Sequence, residues 1–230
     1  MNIYTSGAYM ARNATWHVED SPWKAEQVRT MLGRHGIVPR TLCEVGCGAG
    51  EVLVRLGETF PAARLQGFEV SQQALALART RTRDGLTFTG ADAFASGLHF
   101  DVALALDVME HVEDYIAFAR RMRPLAEHKI FHVPLDMNAL AVARGWPIAH
   151  AREKVGHLHY FSKETALATL AQADHEIVDW AYTATALETP GAVRNAKAAL
   201  LNVARRGLYA LRPDAAAALL GGYSLLVLTR

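Results

Sequence analysis

The chain has 230 residues, of which 51% are hydrophobic and 20% charged, with a formal net charge of +1. This balance is that of a globular domain and excludes a strongly basic chain, so we expect no nucleic-acid partner. No apolar run reaches the roughly 18 residues that a spanning helix needs, and the N-terminus does not read as a signal peptide. Cys43 and Cys47 do not suggest a disulfide framework. We therefore expect a cytoplasmic protein without a membrane span.

Helix and strand patterns alternate along the chain. Ser21 and Pro22 predict a helix start, and apolar spacing carries that helix to about Gly36. Further helices are predicted at 51–58, after Ser71, at 113–122 and, capped by Ser162, at 162–173. Apolar or alternating runs predict strands at 41–45, 64–70, 86–89, 100–106, 129–133, 175–183 and 223–229. This alternation predicts an α/β fold whose mainly parallel sheet is covered by helices on both faces.

A glycine-rich loop, EVGCGAG at 44–50, follows the first strand. Gly46, Gly48 and Gly50 permit positive φ angles and let a ligand approach the backbone, and the start of the next helix adds amide donors. Ligands bind at this edge of an open α/β sheet. The same spacing also occurs in structural turns and is similar to dinucleotide-binding loops, so the loop alone predicts only a ligand site.

Acidic residues near this loop narrow the choice of ligand. Glu69 ends the second strand about 20 residues further on, where a carboxylate can accept hydrogen bonds from the ribose of NAD or of S-adenosylmethionine. The spacing G-x-G-x-G differs from the dinucleotide pattern G-x-G-x-x-G, and the Glu44 carboxylate repels a pyrophosphate but suits an ammonium group. After the third strand, Asp92 and the amide of Ala93 are candidates to recognise an adenine.

Together these motifs resemble those of class I S-adenosylmethionine-dependent methyltransferases, most closely the branch that acts on small molecules. The matching segments are EVGCGAG at 44–50, DVMEHV at 107–112 and HLHYFSKETALATLAQADHEIVDW at 157–180, with Glu69 and Asp92 between them. The resemblance implies a Rossmann-like, seven-stranded sheet with one antiparallel strand at its end. It also implies S-adenosyl-L-methionine as the cofactor, S-adenosyl-L-homocysteine as the product and a small molecule as the methyl acceptor.

The resemblance also implies cofactor-binding roles for individual residues. The methionine part of the cofactor would be held by Glu44, Gly46, Cys47, Gly48 and Gly50. The ribose and adenine would be held by Glu69, Val70, Asp92 and Ala93. The methyl-donor side would be lined by Leu106, Asp107 and His111.

The chemistry of methyl transfer points to a histidine. The acceptor atom has to lie in line with the sulfonium, and a hydroxyl acceptor also has to lose a proton, for which histidine is the natural base near neutral pH. The candidates for this base are His111, His132, His150, His157 and His159. For each of them the alternative is a purely structural role. The turn with Asp107, Glu110 and His111 is similar to an E-x-x-E-H pattern linked to divalent metal in ubiquinone-biosynthesis O-methyltransferases. The resemblance to other relatives favours a structural turn, so no metal is expected.

We divide the chain into an N-terminal helical lid at 1–38, a cofactor-binding core at 39–183, a helical insertion at 184–221 and a last core strand at 222–230. Side chains of the lid could stack on a substrate or pack the helix onto the sheet; they are Tyr4, Tyr9, Trp16, His17 and Trp23. The insertion is basic, which allows a pocket cap, an anionic substrate, a membrane surface, a homodimer contact or a solvated face; its basic residues are Arg194, Lys197, Arg205, Arg206 and Arg212.

The predicted function is methyl transfer to a small molecule of natural-product or sugar type, preferentially at oxygen. The alternatives are N- or C-methylation of a small molecule, methylation of a protein, a nicotinamide-dependent oxidoreductase and a non-catalytic cofactor-binding module. An oxidoreductase would require the third glycine one position later and no acid before the loop. A non-catalytic module would bind S-adenosylmethionine without an acceptor pocket.

Overall fold

The structure, a computed structural model, describes residue 16 and residues 18–190 and 195–230. Tyr4, Tyr9, His17 and Arg194 lie outside the described residues. One sheet is formed by β1 Thr41–Val45, β2 Arg64–Phe68, β3 Leu86–Thr89, β4 Phe100–Leu106, β5 Ala126–Pro134, β6 Ile177–Thr183 and β7 Ser224–Thr229. Its strand order is β3-β2-β1-β4-β5-β7-β6, and β7 runs antiparallel to both neighbours. The predicted Rossmann-like, seven-stranded sheet with an antiparallel strand is confirmed.

Helices connect the strands along the described chain. The longer ones are α1 Ser21–Arg34, α2 Glu51–Thr59, α3 Gln72–Arg79, α4 Tyr115–Met122, α5 Ala139–Arg144, α6 Trp146–His150, α7 Lys163–Gln172, α8 Thr185–Glu188 and α9 Ala196–Leu211. Short helical turns complete the pattern at Val18–Asp20, Ala93–Ala95, Met109–His111, Arg123–Leu125, Ala151–Val155, Pro213–Ala215 and Ala216–Leu220. None of the helices in these ranges is long and apolar enough to span a bilayer.

The sheet is buried on both faces because successive strand residues point in opposite directions. In β4, Val102 and Leu104 pack on the face covered by α1, α2 and α3, whereas Ala103 and Ala105 pack on the face covered by α4 and α7. The first face is filled by Val28, Met31, Leu53, Leu56 and Leu75, and the second by Phe118, Met122, Phe131, Ala166 and Leu170. This double burial explains why the central strands are almost continuously apolar.

Local contacts shift several predicted boundaries by a few residues. The first helix begins at Ser21 itself, after Asp20, and ends at Arg34 rather than at Gly36. The second strand ends at Phe68 rather than at 70, because the Glu69 carboxylate accepts hydrogen bonds from loop amides. The fourth predicted helix begins at Tyr115 rather than at 113, since the Asp114 side chain caps it by accepting from the Ala117 amide.

The segment between β6 and β7 is helical where the structure describes it, as the sequence predicts. Helix α9 is capped by Asn195, whose side chain accepts from the Ala198 amide. Inside the helix, Asn202 is buried and donates to the Ala186 carbonyl at 2.9 Å. The Asn202 contact fixes α9 beside α8.

Candidate functional site

A cleft of about 370 Å³ opens at the carboxyl ends of β1, β2 and β4. Strand order reverses between β1 and β4, the point at which open α/β sheets bind their ligands. The cleft is lined by loop residues from 44–52, by Glu69 and Val70, by residues 106–108 and 110–112, and by the start of α1. Most of the predicted cofactor-binding residues therefore share one cavity; they are Glu44, Gly46, Cys47, Gly48, Gly50, Glu69, Val70, Leu106, Asp107 and His111.

The three loop glycines all have positive φ angles, between +53° and +82°. A Cβ atom on Gly46 would lie 2.8 Å from Val108 Cγ2, and one on Gly50 would lie 2.5 Å from the Phe88 ring. The loop is also fastened to β2, because the amides of Gly46 and Cys47 both donate to the Phe68 carbonyl. Glycine is thus required for the backbone to turn here and to form the floor of the cleft.

Glu69 holds the loop from the next strand. Its carboxylate accepts from the Gly48 amide at 2.8 Å and from the Ser71 amide at 2.7 Å. Burial raises the pKa of Glu69, while the hydrogen bonds from Ser71 and Gly48 oppose that rise. The side chain is therefore rigid and lines the cleft, and each oxygen keeps a lone pair for a ligand.

Glu44 is a buried carboxylate on the wall of the cleft. Burial raises its pKa to about 8, with Lys24 lowering the pKa and Glu69 and Asp107 raising it. Within the described part of the chain, the Glu44 Oε2 atom is buried and has no hydrogen-bond partner. A buried acid without a partner is costly, so this atom marks a place where a cationic donor would be stabilised.

Lys24 from α1 completes the charge network of the cleft, and the sequence analysis missed it. Its ammonium group pairs with Asp107 at 2.6 Å. Burial alone would lower the pKa of Lys24, but the Asp107 carboxylate raises it above its usual value. No motif connects a lysine in the first helix with the end of β4, so only the fold brings them together.

His132 lies at the end of β5, as predicted, but it lines neither cavity described here. Its Nδ1 is 2.5 Å from Asp107 Oδ1, and its Nε2 is 2.8 Å from Thr183 Oγ1. Burial opposes ionisation of Asp107, but His132 and Lys24 together hold the pKa of Asp107 well below its usual range. Because both ring nitrogens are occupied, this histidine is placed to fix Asp107 and not to meet an acceptor.

Glu110, His111 and His157 cluster on another wall of the cleft. One donor atom from each lies within 4.8 Å of the others, a spacing that could hold a metal ion. Burial and the nearby Asp107 raise the pKa of Glu110, whose oxygens have no hydrogen-bond partner among the described residues. Burial and His157 lower the pKa of His111 to about 4. A neutral imidazole suits a metal ion, whereas the raised pKa of Glu110 opposes the ionised form that a metal ion would need.

His157 forms a pair with Asp136, a residue that the sequence analysis did not single out. Their Nδ1 and Oδ2 atoms are 2.5 Å apart, and His157 packs edge-on against His111 with ring centroids 4.9 Å apart. A carboxylate oxygen accepts, so Nδ1 is the donor of this bond, and Nε2 is the ring nitrogen that the bond leaves open. An acid two residues beyond the end of β5, at the ligand-binding edge, is the signal that could have revealed Asp136.

A second cavity of about 570 Å³ adjoins the cleft. The two share Asp20, Pro134, Thr185 and Thr189 among their lining residues. Asp136 lines the second cavity and His157 the first, so the pair stands at the junction. Further walls of the second cavity come from α5, α6, α8, α9 and the start of β7.

The other predicted site residues lie outside both cavities. Asp92 is half-exposed, accepts from the Phe94 amide at 3.0 Å and pairs with Arg121 at 2.7 Å, while the neighbouring Ala93 is buried. His159 donates from Nε2 to the Glu113 carbonyl, 3.2 Å away, and lies against Tyr115. His150 ends α6. Their proposed roles stay predictions.

Residues 18–179, well over half of the chain, match a family model described as a methyltransferase domain. The ubiquinone biosynthesis O-methyltransferase of Methylobacterium sp. (strain 4-46) is 32% identical over 101 residues, which cover 40% of this chain and 39% of that protein. The alignment thus spans about two fifths of that relative.

Two solved structures share the fold over most of the chain. Magnesium protoporphyrin IX methyltransferase from Synechocystis PCC 6803 with bound SAH has a TM-score of 0.61 at 17% identity, covering 90% of this chain and 82% of that chain. N-methyltransferase NodS from Bradyrhizobium japonicum WM9, in complex with S-adenosyl-l-homocysteine, has a TM-score of 0.57 at 19% identity, covering 96% of this chain and 97% of that chain. At these identities the likeness concerns the fold.

The fold, with its cleft at the switch in strand order, is that of the class I methyltransferases. The chain belongs to the methyltransferase-domain family that its residues 18–179 match. The class predicted from the motifs is therefore confirmed, and the alternative of a nicotinamide-dependent oxidoreductase is not supported. The domain boundaries, the homodimer and the cytoplasmic location stay predictions.

Proposed function

We propose that the protein binds S-adenosylmethionine in the cleft and methylates a hydroxyl group of a small molecule held in the second cavity. The Asp136–His157 pair at the junction of the two cavities carries the proposal, because it joins a proton acceptor to both of them. The family supports methyl transfer, and a relative named as an O-methyltransferase supports oxygen as the acceptor atom.

The residues of the cleft fit this cofactor. The buried Glu44 Oε2 suits the ammonium group of the methionine part, and the loop glycines with positive φ angles form a floor of backbone without side chains. Glu69 offers free lone pairs for ribose hydroxyls, and the exposed Val70 side chain offers an apolar surface for the adenine. When bound, S-adenosylmethionine supplies a methyl carbon on a positively charged sulfur, which a nucleophile can displace directly.

His157 is the proposed base. With its Nδ1–H donated to Asp136, its Nε2 can accept the proton of the acceptor hydroxyl. Asp136 fixes the tautomer and stabilises the imidazolium that forms, as a carboxylate does in other histidine–carboxylate pairs. His111 packs edge-on against His157 and is held by the Gly156 carbonyl at 3.1 Å, so we assign it a positioning role beside the cofactor.

The test separates binding from chemistry. Calorimetry should give micromolar binding of S-adenosylmethionine and S-adenosylhomocysteine, no binding of NAD, and loss of binding in Glu69→Ala. A panel of phenols, sugars and amines is then screened for release of S-adenosylhomocysteine. We expect His157→Asn to bind the cofactor normally but to lower kcat by about 10²–10⁴-fold.

His159→Asn is the matched control, since His159 lies in the same segment but lines neither cavity. Equal losses in the two variants would contradict the assignment of the base. Methylation of amines alone would favour N-methyl transfer. Cofactor binding without transfer to any class of acceptor would favour a non-catalytic module.

A further inference from the structure

The second cavity has a basic wall, built by Arg144 at the end of α5 and Arg205 on α9. Within the part of the chain that the structure describes, no carboxylate lies within 4.0 Å of either guanidinium. The acids that line this cavity are Glu19, Asp20 and Asp136, and the last of these is engaged by His157. The cavity therefore contains two cationic groups that no carboxylate contacts directly.

Arg205 is held rigidly by the surrounding backbone. Its Nε and Nη2 donate to the Leu220 carbonyl at 3.3 and 3.0 Å, and its Nη1 donates to Asn202 Oδ1 at 2.9 Å. A Cβ on Gly222 would lie 2.6 Å from the Arg205 Cζ atom, so a glycine is needed behind the guanidinium. Three of the five N–H groups of a guanidinium are thereby used, which leaves two for a ligand.

The electrostatics favour an anion at this wall. Burial lowers the pKa of Arg205, Tyr223 opposes this change, and the charge of Arg144 adds to it. Two like charges beside a partly buried cavity cost free energy until an anion neutralises them. A planar, fixed guanidinium is the side chain best suited to hold a carboxylate or a phosphate.

We infer that the methyl acceptor carries an anionic group, a carboxylate or a phosphate, which binds between Arg144 and Arg205 while its hydroxyl faces His157. This inference rests on the proposed function, because it takes the second cavity to be the acceptor site. It narrows the substrate class to hydroxylated acids or phosphate esters. Arg144 and Arg205 are then the residues that determine specificity.

The first experiment tests anion binding without catalysis. The thermal unfolding midpoint is measured in acetate, in inorganic phosphate and in chloride at matched ionic strength. We expect acetate or phosphate to raise the midpoint of the parent and of Arg206→Gln, an exposed position on the same helix that does not line the cavity, but not of Arg144→Gln. Equal shifts in all three proteins, or none in the parent, would overturn the inference.

The second experiment compares matched acceptors, 3,4-dihydroxybenzoate and catechol, which differ by one carboxylate. For the parent we expect KM to be about 10- to 100-fold lower for the acid, and Arg144→Gln to remove this preference while S-adenosylhomocysteine still binds. Arg205→Lys should keep part of the preference that Arg205→Gln loses. A preference that survives in both glutamine variants refutes the inference but leaves methyl transfer intact. If neither compound is methylated, the unfolding experiment with acetate and phosphate still tests whether an anion binds between the two arginines.

Discussion

The buried carboxylate of Glu44 should couple cofactor binding to proton release. In the free protein its pKa is about 8, so about one tenth of the molecules carry the ionised form at pH 7 and about one hundredth at pH 6. A cationic ligand beside the carboxylate favours the ionised form and lowers that pKa. Binding of S-adenosylmethionine should therefore weaken about tenfold for each pH unit below 8 and release nearly one proton at pH 7.

Calorimetry in two buffers with different ionisation enthalpies measures this proton release directly. Glu44→Gln mimics the protonated acid, so it should bind weakly at every pH and release no proton. Glu51→Gln is the control, because Glu51 lines the same cleft but pairs with Arg55 at 2.8 Å and with Arg81 at 3.0 Å. Protons released by the ligand itself contribute equally in all three proteins, so the difference between them reports on the protein. Equal proton release in the parent and in Glu44→Gln would refute this account of the cleft.

Stability gives an independent measure of the same carboxylate. The pKa of Glu44 in the folded protein lies above its unfolded value of about 4.3, so the unfolded chain loses its proton first as pH rises. This group should therefore cost stability progressively between about pH 4.3 and 8. We expect the parent and Glu44→Gln to have similar unfolding midpoints at pH 5, and Glu44→Gln to be the more stable at pH 8.

Three further predictions use other residues. Gly50→Ala should cost about 1–3 kcal/mol of unfolding free energy and weaken cofactor binding, because its Cβ would lie 2.5 Å from the Phe88 ring. Gly207→Ala is the control on α9, where a Cβ meets open space, and it should stabilise the protein by about 0.5–1 kcal/mol. Denaturant titrations measure both changes. The pKa of buried His175 is lowered to about 4, so the contribution of this group to stability should fall by about 1.4 kcal/mol per pH unit from 6.5 towards 4. His175→Gln should change the slope of stability against pH by the amount of one proton in that range. Chelators should leave methyl transfer unchanged, since burial raises the pKa of Glu110 and so disfavours the ionised carboxylate that a metal ion would need. Loss of activity with a chelator, restored by one divalent cation in the parent but not in Glu110→Gln, would contradict this.

The strands were predictable because each is a short apolar run with turn residues at its ends. The first and last residues of the strands were less predictable, because they depend on contacts with distant parts of the chain. The fifth strand was predicted to begin at Lys129 but begins at Ala126, since His128 and Lys129 are buried in pairing with β4 and β7. The sixth begins at Ile177 and not at His175, whose ring bonds Thr229 and the Ala119 carbonyl. Polar residues buried in this way do not show up in a hydrophobicity pattern.

The candidate site also has a part that the sequence predicts and a part that only the fold reveals. The cofactor end was predictable because a strand, a tight turn and a helix place the 44–50 loop and Glu69 within one short stretch of sequence. Lys24 and Asp136 were not, since each acts through a residue that only the topology brings near, Asp107 for the one and His157 for the other. His132 was selected for its place at a strand end, but its hydrogen bonds occupy both ring nitrogens, which no sequence pattern reveals.

The net charge of +1 conceals a separation of charge that follows from the fold. Glu44 and Glu69 line the cleft proposed for a cationic cofactor, and Arg144 and Arg205 line the cavity proposed for an anionic acceptor. Next to these particular side chains the opposite charges favour different ligand groups, an ammonium group at Glu44 and an anion at the two arginines. The same acids and bases mixed over one surface would give an identical composition and no such selection. Specificity here is therefore a property of which element carries each charge, and only the order of the strands determines that.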